Sequence, residues 1–186
     1  AGRAHIYQVN FAETPAITTI GEYAFAYCSC LRICDIPTTV TSIGTLAFNN
    51  NQLPDSQAFI YKRTAGADGK AVIDYSNIIS YGGSNRGAST PVKVPQTVNG
   101  VDLKTIGANS FNQTGIRSIE LPDTVTKIES GAFSACYITQ FTIPRDLTSF
   151  ASGSLKKEST WGNFNMLTKI INKSGRSFNW ASITGS

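Results

Sequence analysis

Few side chains in this sequence are of the types that carry out catalysis or bind metal. Its 186 residues include four cysteines and a single histidine, His5. Ser-His-Asp and Cys-His arrangements need a histidine beside the nucleophile, and a structural zinc site needs several Cys or His ligands. Cys28, Cys30 and Cys34 lie close together in sequence, but no second histidine accompanies them. The sequence therefore predicts no enzyme, no metal site and no cofactor.

Carboxylate pairs are the remaining candidates for chemistry. Glu120 and Asp123 are three residues apart and could lie near each other, and Asp35 occupies a place comparable to that of Glu120 in an earlier segment. Acidic side chains that point outward from a regular structure are usually solvated. We interpret these three residues as surface charges.

Composition also narrows the choice of partners. Hydrophobic residues make up 41% of the chain, charged residues only 15%, and the formal charge of +4 is scattered along it. Nucleic-acid binding depends on clusters of Lys and Arg, and this sequence contains no run of them longer than a pair. No apolar stretch approaches the roughly 20 residues that a membrane-spanning helix needs. The sequence predicts no nucleic-acid partner and no membrane insertion within this chain.

The elements that must position any site belong to a repeated phrase, which reads ITTIGEYAF, VTSIGTLAF, LKTIGANSF and VTKIESGAF. Phe25 and Phe48 are 23 residues apart, and Phe111 and Phe133 are 22 apart. A fixed period of this size predicts a solenoid, which buries its repeated residues and exposes its variable ones. Each phenylalanine is predicted to follow a tight turn and to enter the core from a turn of helix or 3₁₀ structure.

Each repeat also contains a short apolar alternation that ends in proline. IRSIELP and, one repeat later, ITQFTIP have apolar residues at the same places and different polar residues between them. Such alternation predicts a short strand with one buried face, which the proline ends. IYQVNFA, LRICDIP, VKVP and LTKIINK fit the same template. Stacked in parallel, these strands are expected to form one sheet along the whole molecule.

The cysteines fit the same register. Cys28 and Cys136 each follow a repeat phenylalanine by three residues. A small apolar side chain is expected there, so we predict buried thiols. Whether Cys30 and Cys34 form a disulfide is left open.

Four parts of the chain differ in pattern. Residues 1–54 and 92–155 are expected to form two repeat stacks, 55–91 a hairpin-like insertion without the repeat, and 156–186 a C-terminal cap. In the insertion, FIY and NIISY are predicted strands and AGADGK a turn. The cap is predicted from four large aromatic side chains: Trp161, Phe164, Phe178 and Trp180.

The phrases TSIG, YAF and GAF, a cysteine shortly after them, and strands that end in IP resemble the BspA-type leucine-rich repeats of bacterial surface proteins. The resemblance covers about 17–53 and 92–155. It implies a mainly β, leucine-rich-repeat parallel solenoid with short strands and helical or 3₁₀ turns, here interrupted by a β-rich insertion. It also implies a cell-surface or secreted location and a role in adhesion. It implies no catalytic residues, because the family motif is a packing motif.

Outward positions of the predicted strands are the candidate partner-binding residues. They are Tyr7, Arg32, Ile33, Asp35, Lys93, Arg117, Glu120 and Gln140. Ile33 is unusual because a polar residue stands there in both later repeats. Since Arg and large apolar groups are enriched at contact centres, Ile33 with Arg32 and Arg117 predicts a protein-contact patch.

These observations lead to one main hypothesis and two alternatives. The chain is interpreted as a non-enzymatic binding module for a host or bacterial surface protein, which it contacts through the exposed sheet. In the first alternative it is a passive spacer that projects other domains from the cell wall. In the second it binds carbohydrate through Tyr61, Tyr75, Tyr81 or Trp161.

Overall fold

The computed structural model describes residues 5–11, 17–83, 90–156 and 167–185. The elements are β1 (Gln8–Val9), β2 (Thr19–Ile20), β3 (Ile33–Cys34), β4 (Ser42–Ile43), α1 (Asp55–Ala58), β5 (Phe59–Ala65), β6 (Ala71–Tyr81), β7 (Val92–Lys93), β8 (Thr97–Val98), β9 (Val101–Asp102), β10 (Thr105–Ile106), β11 (Ile119–Glu120), β12 (Lys127–Ile128), β13 (Gln140–Ile143), β14 (Ser149–Phe150), β15 (Lys169–Asn172) and α2 (Trp180–Thr184). The predicted mainly β parallel solenoid is confirmed. We name each coil after the residue that occupies the phenylalanine position.

The strands that lie in the proline-ended runs do not form the single continuous sheet that the sequence predicts. They pair in parallel as β1 with β3, β7 with β11, and β13 with β15. Between β3 and β7 the chain forms α1 where neighbouring coils have a strand. A helix rises about 1.5 Å per residue against about 3.3 Å in a strand, so α1 cannot present a matching ladder to either side. The strand face is therefore interrupted at the insertion, and β11 and β13 are not paired with each other either.

The second extended segment of each coil forms a longer sheet. Its strand order is β14-β12-β10-β6-β5, with β2 and β4 forming a separate pair. Ile106 lies between Ile78 of β6 and Ile128 of β12 in parallel register, and all three side chains are fully buried. This isoleucine ladder is the inner face of the repeat phrase that the sequence analysis identifies.

The segment that carries each ring is a series of tight turns. The N–H of Ala24 donates to the carbonyl of Gly21, an i→i+3 bond of the predicted 3₁₀ type. A positive φ of 55° at Tyr23 prevents these turns from becoming a continuous helix. The N–H of Phe25 donates instead to the carbonyl of Ala47 in the next coil, at 2.8 Å. Hydrogen bonds between coils thus fix the height at which each ring enters the core.

The insertion contributes a coil of its own to this stack. Ile78 of β6 lies beside Ile106, and three residues later the N–H of Tyr81 donates to the carbonyl of Ser110 at 2.8 Å. That bond is the one phenylalanine makes in other coils. The Tyr81 ring stacks on Phe111 with centroids 5.0 Å apart and is 1% exposed. The prediction that Tyr81 belongs to a binding platform is wrong, because its ring occupies the phenylalanine position of the core.

The buried side chains form two clusters that meet at the insertion. Phe48 and Ile60 belong to the N-terminal cluster, whereas Ile78, Tyr81 and Phe111 belong to the larger C-terminal one. The β5–β6 hairpin, turned at residues 66–70, therefore supplies side chains to both. It is a structural connection between the two repeat stacks as well as an addition to their edge.

Aromatic packing closes the C-terminal end. Phe178 and Trp180 contact Phe150 edge-on, with centroid distances of 5.8 and 6.4 Å, and Ile183 of α2 is buried. These contacts cover the ring of Phe150 in the last coil. Trp161 and Phe164, the other two predicted cap residues, lie outside the described residues.

One half-buried arginine in the insertion, Arg63, forms hydrogen bonds to the N-terminal stack. The guanidinium of Arg63 donates to the carbonyls of Pro37 at 2.8 Å, Val40 at 3.2 Å and Ile36 at 3.4 Å. Burial lowers the pKa of Arg63, while nearby Tyr75 acts in the opposite direction. The group remains protonated at any physiological pH. Its planar set of donors thus holds the turn that follows β3.

Replacing Arg63 with methionine is expected to lower the free energy of unfolding by about 1.5 kcal/mol. The change keeps the aliphatic stem but removes charged hydrogen bonds to three carbonyls, and the group's partial exposure places the loss at the lower end of the range for such bonds. Chemical denaturation of the variant and of the original chain measures this difference in the free energy of unfolding. Lys70→Met, at an exposed position of the same hairpin, is the control. Equal stability of both variants would contradict the fastening role.

Candidate functional site

The predicted partner-binding residues lie on the interrupted strand face. Seven of them are exposed and Ile33 is half-buried. Their buried neighbours on the same strands, such as Cys34, Ile119 and Phe141, point into the core. The predicted register of inward and outward side chains is therefore the one observed, although whether the outward residues bind a partner is a separate question.

The first part of this face is formed by β1 and β3. Gln8 lies opposite Ile33, and the N–H of Arg32 donates to the carbonyl of Tyr7 at 2.9 Å. The side chain of Tyr7 is well exposed, with 56% of its surface accessible to solvent. An aromatic ring, a guanidinium and a partly exposed isoleucine thus come together at one place. We call Tyr7, Arg32 and Ile33 the β1–β3 patch.

The second part is formed by β7 and β11. Lys93 lies opposite Glu120, with their charged groups 3.9 Å apart and both well exposed. The guanidinium of Arg117 lies 5.0 Å from the centre of the Tyr137 ring, a cation–π geometry. Because α1 and β7 intervene, Arg117 is not brought together with Ile33. The predicted patch of three residues is thus divided between two strand pairs.

Gln140 lies further along the face, on β13. It is exposed and stands opposite Lys169 of β15. Asp35, at the other end, accepts a hydrogen bond at 3.0 Å from the side-chain amide of Gln57 in α1. The same amide accepts the N–H of Cys34 at 3.3 Å, so Gln57 caps the free edge of β3.

A cleft opens where the strand face is interrupted. It has a volume of about 620 Å³ and is bordered by β3, α1, the β5–β6 hairpin, β7 and the β8–β9 turn. Tyr61 and Tyr75 line it with their ring centroids 5.3 Å apart. Burial raises the pKa of Tyr61, with a smaller contribution from Tyr75, so its hydroxyl stays protonated. We call this space the insertion cleft.

One wall of the insertion cleft, the β8–β9 turn, was not predicted from the sequence. Asn99 and Gly100 have positive φ values of 49° and 77° and join β8 to β9, which pair as an antiparallel hairpin. Asn-Gly between β-branched residues is the strongest short signal for such a turn, and the sequence contains it as VNGV. The turn brings Asn99 to the rim of the cleft.

Three of the four cysteines first considered for chemistry, Cys28, Cys34 and Cys136, are buried in the core. Among the described residues all four thiols are free, and no group of three or more His, Cys, Asp or Glu side chains is placed to hold a metal ion. Burial raises the pKa of Cys34 to about 11 and that of Cys136 to about 12. These thiols are therefore protonated and unreactive at neutral pH.

The predicted carboxylate pair is divided between different partners. Glu120 lies near Lys93, whereas Asp123 accepts the N–H of Arg145 and lies 3.6 Å from the Lys173 ammonium. The hydrogen bond from Arg145, followed by the two nearby cations, lowers the pKa of Asp123. Both carboxylates are thus solvated members of ion pairs. In the described ranges, no helix is both long and apolar enough to traverse a bilayer.

Comparison with known proteins agrees with this architecture. A model described as "BspA type Leucine rich repeat region" matches residues 3–60 and 90–185 in six copies. No curated protein matches the chain. A crystal structure of a leucine-rich cell surface protein from Faecalibacterium prausnitzii A2-165 is similar at 21% identity and a TM-score of 0.41, over 96% of this chain. The chain spans 62% of the length of that protein's chain. Because the family model matches most of its length and the structure has the corresponding stack of coils, the chain belongs to the BspA-type leucine-rich repeat family.

Proposed function

We propose that the chain is a non-enzymatic binding module displayed at a cell surface or secreted, and that it contacts a protein partner through the exposed strand face. The observation that carries the proposal is the β1–β3 patch. Exposed aromatic and arginine side chains beside an apolar one are the composition that contact centres favour. The remaining exposed candidates are polar and suit the surrounding rim: Asp35, Lys93, Arg117, Glu120 and Gln140.

The repeated core supports the same function. Each buried position is occupied by similar residues from coil to coil, so the scaffold is rigid and independent of what lies outside it. The outward residues vary more from coil to coil, although Arg32 and Arg117 occupy the same place in their runs. A surface of this kind can be complementary to one partner without a change of fold. The main alternative is a passive spacer, which would place no demand on these outward residues.

Replacing Tyr7 and Ile33 together with serine is expected to reduce binding to the partner at least tenfold, since contact-centre side chains commonly each contribute about 2 kcal/mol or more. Binding of the full chain to immobilised extracellular-matrix protein and to epithelial cells measures the change. Arg117→Ser, tested separately, is expected to have a smaller effect, because Arg117 lies on the other strand pair.

The control is Lys127→Ser, a charge removal on β12 in the other sheet. It should leave binding unchanged, and all variants are compared as folded chains, which cooperative thermal unfolding above the assay temperature verifies. If the chain shows no saturable binding, or if the folded Tyr7/Ile33 variant binds as before, the strand face is not the contact surface. Tolerance of charge reversal at every outward position would favour the spacer.

A further inference from the structure

We propose that the insertion cleft is a binding site for a neutral oligosaccharide. This site is separate from the β1–β3 patch and goes beyond the protein contact proposed above. Its volume of about 620 Å³ lies within the range of small-ligand sites, about 300–1,000 Å³, and accommodates a short chain of sugar rings.

The first argument is the origin of the cleft walls. Three elements interrupt the repeat: α1, the β5–β6 hairpin and the β8–β9 turn at Asn99. All three border this one space. The β5–β6 hairpin also contributes to the core, but neighbouring coils bury theirs without a helix like α1 or a turn like β8–β9. Departures from the repeat are thus concentrated where they form a concave surface.

The second argument is the aromatic pair in the cleft. Tyr61 and Tyr75 are half-buried, and their rings meet at 60°, which holds each in place against the other. Rings fixed in this way offer an apolar face with a hydroxyl at the edge. A pyranose ring has the matching chemistry, with C–H groups on its faces and hydroxyls around its rim.

The third argument concerns charge. Asp35 already accepts the Gln57 amide, and Arg63 already donates to three backbone carbonyls. Lys93, on the opposite wall, lies within reach of Glu120. Asp55, the fourth charged residue of the lining, is likewise engaged within the protein. Because these two carboxylates and two cations have partners within the protein and their formal charges cancel, the cleft favours an uncharged polar ligand over an ionic one.

The fourth argument excludes the competing occupant. An extended peptide could in principle add a strand to the edge of β3, as in β-augmentation. The N–H of Cys34 on that edge is bonded to Gln57, which occupies the place an added strand would take. A saccharide does not need this edge. It needs side-chain donors and acceptors such as the exposed Ser56 hydroxyl and Asn99 amide at the rim.

The test is to titrate the full chain with cello-, laminari-, malto- and chito-oligosaccharides. Binding is monitored by calorimetry and by amide NMR shifts. Saturable binding to at least one series is expected, with shifts concentrated around Tyr61, Tyr75 and Asn99. Asn99→Gly should weaken that binding about tenfold by removing one hydrogen-bonding side chain. Glycine suits the positive φ at this position, so the turn is kept. Tyr61→Ala should weaken it at least as much.

The control is Tyr23→Asn, which removes an exposed tyrosine from a position in the first coil whose φ of 55° also suits asparagine. Absence of binding to all four series overturns the proposal, as does binding that survives both cleft variants. Binding of an extended peptide in the cleft instead would identify the other occupant. The Tyr7/Ile33 variant should bind saccharide normally, so failure here and failure of the protein-contact proposal are distinguishable.

Discussion

Replacing Phe111 with alanine is expected to lower the free energy of unfolding by about 3–5 kcal/mol. Phe111 is fully buried and stacks on Tyr81 at 5.0 Å and on Phe133 at 5.2 Å. Its removal leaves a cavity between two fixed rings, and the hydrogen bonds between coils prevent those coils from closing the gap. The loss is measured by urea denaturation, as a lower transition midpoint with an unchanged slope.

Phe25→Ala is the matched control for this prediction. Phe25 occupies the same motif position and stacks on Phe48 at 5.4 Å, but it is only half-buried, and on its other side Phe11 meets it edge-on at 6.3 Å instead of stacking on it. We expect about half the loss, in proportion to the apolar area removed from water. Losses of equal size at Phe25 and Phe111 would contradict the assignment of one as a terminal and the other as a central position.

The repeated core could be predicted because one physical requirement recurs in every coil. Most coils place an isoleucine in the second segment and a ring after the turn, so the spacing of Phe111 and Phe133 alone defines the register. Ile106 and Ile128 then align without further information. The outward residues of β7 and β11 follow from the same alternation. Periodicity therefore determined both the core and the exposure of the candidate partner-binding residues.

The interruption could not be predicted in this way, since it has no second copy with which to compare it. Tyr81 fills the phenylalanine position, yet it follows a hairpin of unrelated length, and no spacing rule connects it to Phe48 or Phe111. The helix α1 likewise depends on local preferences that a strand-based template ignores. These two features divide the strand face and create the insertion cleft, so the departures from the repeat were the least predictable part of the candidate site.

A different kind of error concerns the β8–β9 hairpin. Its signal, Asn99-Gly100 between two valines, is local, and the repeat template contains no equivalent of it. In a repeat protein, short motifs inside a coil therefore need separate inspection. The consequence here is functional, because this turn carries one side of the proposed saccharide site.

Replacing Gly44 with alanine is expected to lower the free energy of unfolding by about 3 kcal/mol, the upper end of the usual cost of overpacking. Gly44 donates its N–H to the carbonyl of Ile20 in the previous coil at 2.8 Å. A Cβ at this position would lie 2.7 Å from the Cα of Glu22 and from the carbonyl carbon of Gly21. Both are backbone atoms, so the clash is relieved only if one coil moves away from the other. Thermal and urea unfolding measure the loss.

Gly21→Ala provides the control, because Gly21 holds the same motif position one coil earlier and an added Cβ there meets nothing within 4 Å. Its effect should stay within about 1 kcal/mol, and a slight stabilisation is consistent with the reduced freedom of the unfolded chain. Glu129 and Ala151 occupy the corresponding position in later coils, so the motif itself does not demand glycine. Glycine is required at Gly44 because the Phe25 and Phe48 coils approach each other closely there. Equal losses for the two variants would show that the turn, and not the contact between coils, sets the requirement.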